Sequence, residues 1–410
     1  MKRIVLILSL CLLALSACLP TELPPSPTLS EDLLGTLVAQ TLTAKPVYTL
    51  GAETNTPVQN TPTSTPIPPT PSPTHAPSVT PTSTPQKLGP ANFPAGVDPL
   101  TGLQVSNPAL LARRPLAIKV SNLPRNVRPQ WGLSLADLVF EYYTEEGTTR
   151  FIALFYGNDA SIVGPIRSAR FFDIYVVDAY KAVFAYGYGY IAEQDRLKAS
   201  DFANRLVIEA SGTPLYRYNG GDALVVDTAA LSAYITHKDV ANGRQDLDGM
   251  SFSPAPPADG QPANRIFVHY SSAIYNRWDY DASTGLYLRF ADSADDFSGS
   301  LGEQYARSTD RLTKLPLAFD NVVVLYVNHK LFSPGIYDIQ LTGQGKAYAF
   351  RDGQGYQLEW NRSYSGVVSL TYPDGTPFAF KPGATWFEVV GLNSTLDVSS
   401  QGWRYTHHMP

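Results

Sequence analysis

The sequence predicts an α+β protein: a mixed α/β N-terminal domain, then a mostly antiparallel β C-terminal domain, both behind a disordered Pro/Thr/Ser-rich tether. Three observations carry that expectation. Composition is segregated, with 16 of the 34 prolines at or before Pro90 but 23 of the 24 tyrosines and all five tryptophans beyond it. Residues 91–245 alternate strand-like and helix-like runs. Residues 260–400 are a succession of β-branched and aromatic runs separated by Gly/Asp turns. With 410 residues, 44% of them apolar, the chain has ample material for a core.

The elements follow in chain order. Met1-Lys2-Arg3 is a basic start, and Ile4 to Ala17 is apolar but shorter than the roughly 20 residues a membrane-spanning helix needs. Residues 1–17 therefore read as a signal peptide. Leu15-Ser16-Ala17-Cys18 resembles the bacterial lipoprotein signal, which implies lipid on the Cys18 thiol and membrane anchoring by more than one acyl chain. Cys11 lies in the removed segment, so the folded part carries no cysteine. Residues 18–90 form the tether. Within it, Pro57–Pro85 contains 10 Pro, 8 Thr and 4 Ser and no charged residue, which cannot bury enough surface to offset chain entropy. Ser30–Ala44 carries a short helical pattern, with Leu33, Leu34, Leu37 and Val38 on one stripe.

In residues 91–245, Leu116–Val120 reads as a strand, and Asp137–Tyr143 with Thr149–Tyr156 as a hairpin. Ser168–Val183, Ile191–Ala203 and Ala229–Thr236 read as helices, and Val183–Tyr186 as a strand. A Pro/Gly-rich stretch, Asp246–Asn264, precedes the second domain at 260–400. There, strands are expected at Ile266–Tyr270, Ile274–Tyr280, Leu286–Phe290, Val322–Val327, Ala347–Phe350, Tyr356–Trp360, Val367–Tyr372 and Thr385–Val390. Turns such as Arg351-Asp352-Gly353 and Pro373-Asp374-Gly375 suit hairpins between them.

Composition also excludes functions. With 31 Lys+Arg against 36 Asp+Glu the chain is mildly acidic and has no basic run, which argues against nucleic-acid binding. A cysteine-free folded part rules out thiol catalysis, disulfides and cysteine–zinc sites there. Neither Gly-x-Ser-x-Gly nor His-Glu-x-x-His occurs, nor a Gly-rich phosphate loop, so the sequence calls for no cofactor and no metal.

Ordered motifs then become recognisable. Pro99-Leu100-Thr101-Gly102, Arg114-Pro115, Asn122, Arg128-Pro129-Gln130, Gly132 and Ala136-Asp137 come first. Glu141, Glu145, Gly147, Thr149-Arg150-Phe151 and Gly164-Pro165-Ile166-Arg167-Ser168-Ala169-Arg170 follow. Later come Asn321-Val322-Val323-Val324, Gly343-Gln344-Gly345-Lys346-Ala347-Tyr348, Trp360, Asp374-Gly375 and Lys381-Pro382-Gly383-Ala384-Thr385-Trp386. From about Asp98 to Gly391 the chain resembles the YerB-like lipoproteins, a bacterial family without an established biochemical activity. The resemblance implies two α+β domains behind a lipid anchor. Ser121 stands where the family tends to carry aspartate. Ala185–Tyr190 replaces a loop that tends to hold histidine.

Candidate sites come from charge placement. If Thr144 faces Thr149 across the hairpin, then Val139, Glu141, Tyr143, Arg150, Ile152 and Leu154 share a face. Glu141 and Arg150 then become diagonal neighbours. They would form either a structural ion pair or part of a polar cleft with Arg167, Arg170 and Asp173. Arg167 and Arg170 flank Ser168 at an expected helix start, an arrangement suited to carboxylate or phosphate groups or to clamping neighbouring loops. Asp137 and Glu141 are the weak candidates for the two carboxylates of glycoside cleavage, a reaction that fixes their separation at roughly 5–10 Å. Tyrosines of Phe184–Tyr190, with Trp131 and Trp278, are candidates for stacking on sugar rings, or for core. The expectation is an extracytoplasmic lipoprotein held at the cell membrane through Cys18 that binds a cell-envelope glycan or protein through Glu141, Arg150, Arg167, Ser168 and Arg170. The alternative is a glycan-directed hydrolase using Asp137 and Glu141.

Overall fold

The computed structural model describes residues 87–296, 302–363 and 366–410. The signal peptide, Cys18, the tether and the Ser30–Ala44 helix lie outside the described residues. Strands dominate, with three α-helices among the described residues. The elements are β1 (Leu116–Ser121), β2 (Leu138–Tyr143), β3 (Thr149–Phe155), α1 (Phe171–Ala179), β4 (Val183–Ala185), α2 (Ile191–Lys198), β5 (Leu206–Val207) and α3 (Thr228–His237). They continue with β6 (Arg265–His269), β7 (Tyr275–Asp281), β8 (Leu286–Asp292), β9 (Tyr305–Arg307), β10 (Ala318–Phe319), β11 (Asn321–Ser333) and β12 (Ile336–Gln340). The last are β13 (Gly343–Arg351), β14 (Gln354–Arg362), β15 (Ser369–Thr371), β16 (Thr385–Gly391), β17 (Thr395–Ser399) and β18 (Gly402–Thr406).

One twelve-stranded sheet runs through both expected spans, in the order β15-β14-β13-β11-β16-β2-β3-β1-β4-β5, with β12 on β11 and Gln261–Pro262 on β14. A seven-stranded sheet, β9-β8-β7-β6-β18-β17 with β10 on β8, lies against one of its faces. The C-terminal strands pair mostly antiparallel, as expected, with parallel exceptions that the sequence did not show. β16 pairs in parallel with both β2 and β11, and β18 pairs in parallel with β6. Local hairpin signals cannot show such pairings, because parallel neighbours are joined by long connections.

Alternation along the central strands builds two cores. On one face Phe140, Tyr142, Ile152, Phe387 and Val389 pack with Phe172 and Val177 of α1, and Phe140 stacks on Phe387 at 4.4 Å. On the other face Val139, Phe151, Trp386 and Val390 meet Ile266, Val268 and Trp278 of the second sheet, with Trp278 and Trp386 5.3 Å apart. Leu231 and Ile235 of α3 join this second core beside β1.

The β2–β3 hairpin is one residue out of the expected register. Thr144 N–H donates to Thr148 O at 2.8 Å, and Tyr143 faces Thr149. The loop between them holds Glu146 and Gly147, both with positive φ, and these close the turn two residues after Thr144. A slip of one residue sends side chains to opposite faces. Arg150 therefore lies opposite Tyr142 on the helix face, while Glu141 lies opposite Phe151 on the side of the second sheet.

Candidate functional site

The register separates the predicted polar set into three groups. Glu141 belongs to a network sealed between the sheets. Its Oε1 accepts from Asn122 Nδ2 (3.1 Å) and Thr149 Oγ1 (2.7 Å), and its Oε2 from Arg289 Nη2 (2.7 Å) and Asn276 Nδ2 (3.3 Å). Glu388 of β16 joins it, accepting from Trp278 Nε1 at 2.9 Å and from the Tyr270 hydroxyl at 3.0 Å. Burial, and then the Glu141 charge, pushes the Glu388 carboxyl up to about 8, so one acid of the pair keeps its proton at neutral pH. Asp137 is likewise buried, holding the N–H groups of Tyr156 and Gly157. Burial raises its carboxyl to about 6 against those hydrogen bonds. Both acids are saturated with donors and covered by protein, as structural carboxylates are.

The second group lies on the helix face. Arg150 donates to Ser168 O (3.0 Å) and Glu145 Oε1 (3.1 Å), and Arg170 Nε donates to Glu145 Oε2 (2.7 Å). The expected helix start at Ser168 moves to Phe171. There Asp173 accepts from the Arg170 N–H at 2.7 Å, so the protein's own carboxylate occupies the helix terminus. Asp173 also holds the Tyr142 hydroxyl (2.5 Å) and the ammonium of Lys119 (3.1 Å). Burial, helped by Arg150 and Arg170 and opposed by Asp173, lowers the fully buried Lys119 to about 7. The sequence reading missed Lys119, because it sits inside an apolar strand pattern that carries no signal for a charge.

Arg167 stands apart from both groups. It lines a cavity of about 170 Å³ with Arg311, Trp131, Val127 and Asp222. Among the described residues its guanidinium meets no acceptor, while its backbone is pinned by Arg167 N to Lys119 O (3.1 Å) and Gly187 N to Arg167 O (2.9 Å). Arg311 lies over the Trp131 ring, its Cζ 4.1 Å from the centroid, and Tyr218 packs on the same indole at 5.0 Å. Trp131 is thus a platform that fixes a guanidinium plane rather than an open stacking surface.

Local chain geometry explains why these residues meet. Pro124 and Pro129 keep the segment after β1 out of the sheet. Trp131 then bridges to Gly164, with N–H to O distances of 2.8 and 3.2 Å. Gly164 has φ +152°, and a Cβ there would stand 2.9 Å from Leu224 O, so only glycine allows this approach. On the other side, the buried Asp310 carboxylate takes Gly132 N–H (2.9 Å), Ser134 N–H (2.8 Å) and Leu312 N–H (2.7 Å), and Arg311 N–H reaches Gln130 O at 2.7 Å. Asp310 and Arg311 lay outside every motif read in the sequence; only the fold brings them to Trp131.

A second cavity, of about 210 Å³, flanks the same two segments. Arg128, Gln130, Arg289, Asp292, Arg307 and Ser308 line it. Among the described residues no helix is long and apolar enough to cross a membrane, and no three His, Cys, Asp or Glu side chains are grouped to hold a metal ion.

Fold and sequence together define a two-part α+β protein of a family without known activity. Residues 100–241 match the family described as "Protein of unknown function (DUF3048) N-terminal domain", and residues 266–387 match the corresponding C-terminal domain. The chain belongs to this YerB-like, two-domain family. A Bacillus subtilis (strain 168) protein, "Putative lipoprotein YerB", is 28% identical over 306 residues, covering 71% of this chain and 85% of the relative. A crystal structure of YerB protein from Bacillus subtilis superposes with a TM-score of 0.60 at 24% identity, covering 72% of this chain and 96% of that one, which shows the shared fold.

Proposed function

We propose that this protein is a lipoprotein anchored at the outer face of the cell membrane through Cys18, and that it binds an acidic glycan of the cell envelope. The observation that carries the reading is the cavity between Arg167 and Arg311. Two guanidinium groups line one small space with a single carboxylate, Asp222, and one of the two has no acceptor of its own. Guanidinium forks match carboxylate and phosphate groups on a polymer, and a fixed guanidinium loses little freedom on binding. The lipoprotein signal at Cys18 and the long Pro-rich tether support a place where such a polymer is within reach. The Bacillus subtilis relative, named as a lipoprotein, agrees with the anchor. Arg150, Arg170 and Ser168 serve as the clamp behind the site, and the hydrolase alternative loses ground because Asp137 and Glu141 are covered.

Cosedimentation of the full chain in detergent with purified cell-wall material tests this reading. The wild type is expected in the pellet, with Arg167→Ala plus Arg311→Ala lowering retention about tenfold or more. Equal retention of the two proteins would sink the proposal.

A further inference from the structure

The second cavity is open to a ligand of its own. Arg128 is committed to Asp292, with Nη1 and Nη2 at 3.0 and 3.1 Å from its carboxylate oxygens. Arg125 bridges Asp292 (2.6 Å) and Asp295 (2.8 Å). Arg289 reaches Glu141 with one nitrogen and Ser308 Oγ (3.2 Å) with another, and its guanidinium packs over the Trp386 ring, its Cζ 4.8 Å from the centroid, so it is fully engaged. Arg307, on the edge strand β9, is exposed and lines the cavity without an ion pair among the described residues. Around this space the guanidiniums of Arg125, Arg128 and Arg289 are matched by Asp292, Asp295 and Glu141. Arg307 is left over. One unmatched positive charge on Arg307 and the hydroxyl of Ser308 line a volume of about 210 Å³.

We infer that this cavity is a socket for a single carboxylate group of the bound ligand, held by Arg307 with Ser308 Oγ as a further donor. The inference rests on the acidic-glycan reading and supplies its chemistry: a monovalent carboxylate rather than a dianionic phosphate. A carboxylate balances the one free charge. A dianion would overshoot that balance and stand against Asp292, which lines the same space. The socket lies across the Gln130–Arg311 contact from the Arg167 cavity, so one polymer can touch both.

Calorimetric titration of the full chain in detergent tests the inference, using D-glucuronate, neutral D-glucose, N-acetylalanine and inorganic phosphate as probes. Glucuronate, N-acetylalanine or both are expected to bind while glucose does not. Arg307→Ala should weaken that binding about tenfold, and Arg265→Ala, an arginine paired with Asp279 outside both cavities, should leave it unchanged. Binding of glucuronate alone assigns the carboxylate to a sugar. Binding of N-acetylalanine alone assigns it to a peptide stem, and either keeps the socket. No carboxylate binding, equal binding by Arg307→Ala, or a phosphate binding stronger than that of the carboxylates and lost in Arg307→Ala overturns it. Wall retention that survives such a failure leaves the Arg167–Arg311 reading standing, so the two ideas fail separately.

Discussion

Arg289 joins the two halves of this chain through one side chain, and its removal exposes what the buried network costs. Without it the Glu141 carboxylate stays buried between the sheets with no cation, a situation that typically costs about 3–5 kcal/mol. Urea denaturation of Arg289→Ala is expected to show a loss of that size, and a loss below about 1 kcal/mol would contradict it. Glu388 sets a pH dependence of opposite origin. Its carboxyl lies at about 8 in the folded protein against an ordinary 4.5, so the folded state holds a proton that the unfolded chain releases. Its contribution is present in full below about 4.5 and is lost as pH rises through about 8. Stability of the wild type should therefore fall more steeply between about pH 5 and pH 8 than that of Glu388→Gln, which keeps the shape and cannot titrate. Parallel pH profiles would contradict the assignment.

At the scale of elements, the β2–β3 hairpin shows how a single turn decides a site. Glu145, at its tip, holds both Arg150 and Arg170 and lies partly exposed, so Glu145→Ala is expected to cost about 1–2 kcal/mol and to leave wall binding intact. Loss of binding in that variant would return Arg150 and Arg170 to the site. Much of this architecture was legible in the sequence. Most of the expected strands form, and α1, α2 and α3 fall within or close to the runs read as helices, because apolar periodicity and Gly/Asp turns are local signals. Register was not legible, since it depends on whether Glu146 and Gly147 adopt left-handed conformations. Arg167 was readable as a candidate from its motif. Its partner Arg311 was not, because 144 residues separate them and only the Asp310 anchor brings them together. The short strands β12, β17 and β18 escaped for a related reason: their partners, not their composition, make them strands.

At the scale of the whole molecule, the central sheet interleaves the two family spans, with β2 beside β16 and β16 beside β11. A chain ending at Ala258 would leave β2 without its parallel neighbour and the Val139, Phe151 and Glu141 face uncovered. Such a fragment is expected to give poorly dispersed amide spectra. A well-dispersed spectrum would show that the first span folds by itself. The two cavities lie where these spans meet, at residues 126–131 and 306–311, so a ligand there touches both parts of the fold. Hydrogen–deuterium exchange of the full chain in detergent, with and without solubilised cell-wall glycan, locates binding most directly. Protection is expected in peptides covering 126–131, 165–167 and 306–311. Protection confined to other regions, or none at glycan concentrations that saturate cosedimentation, would contradict the proposed site.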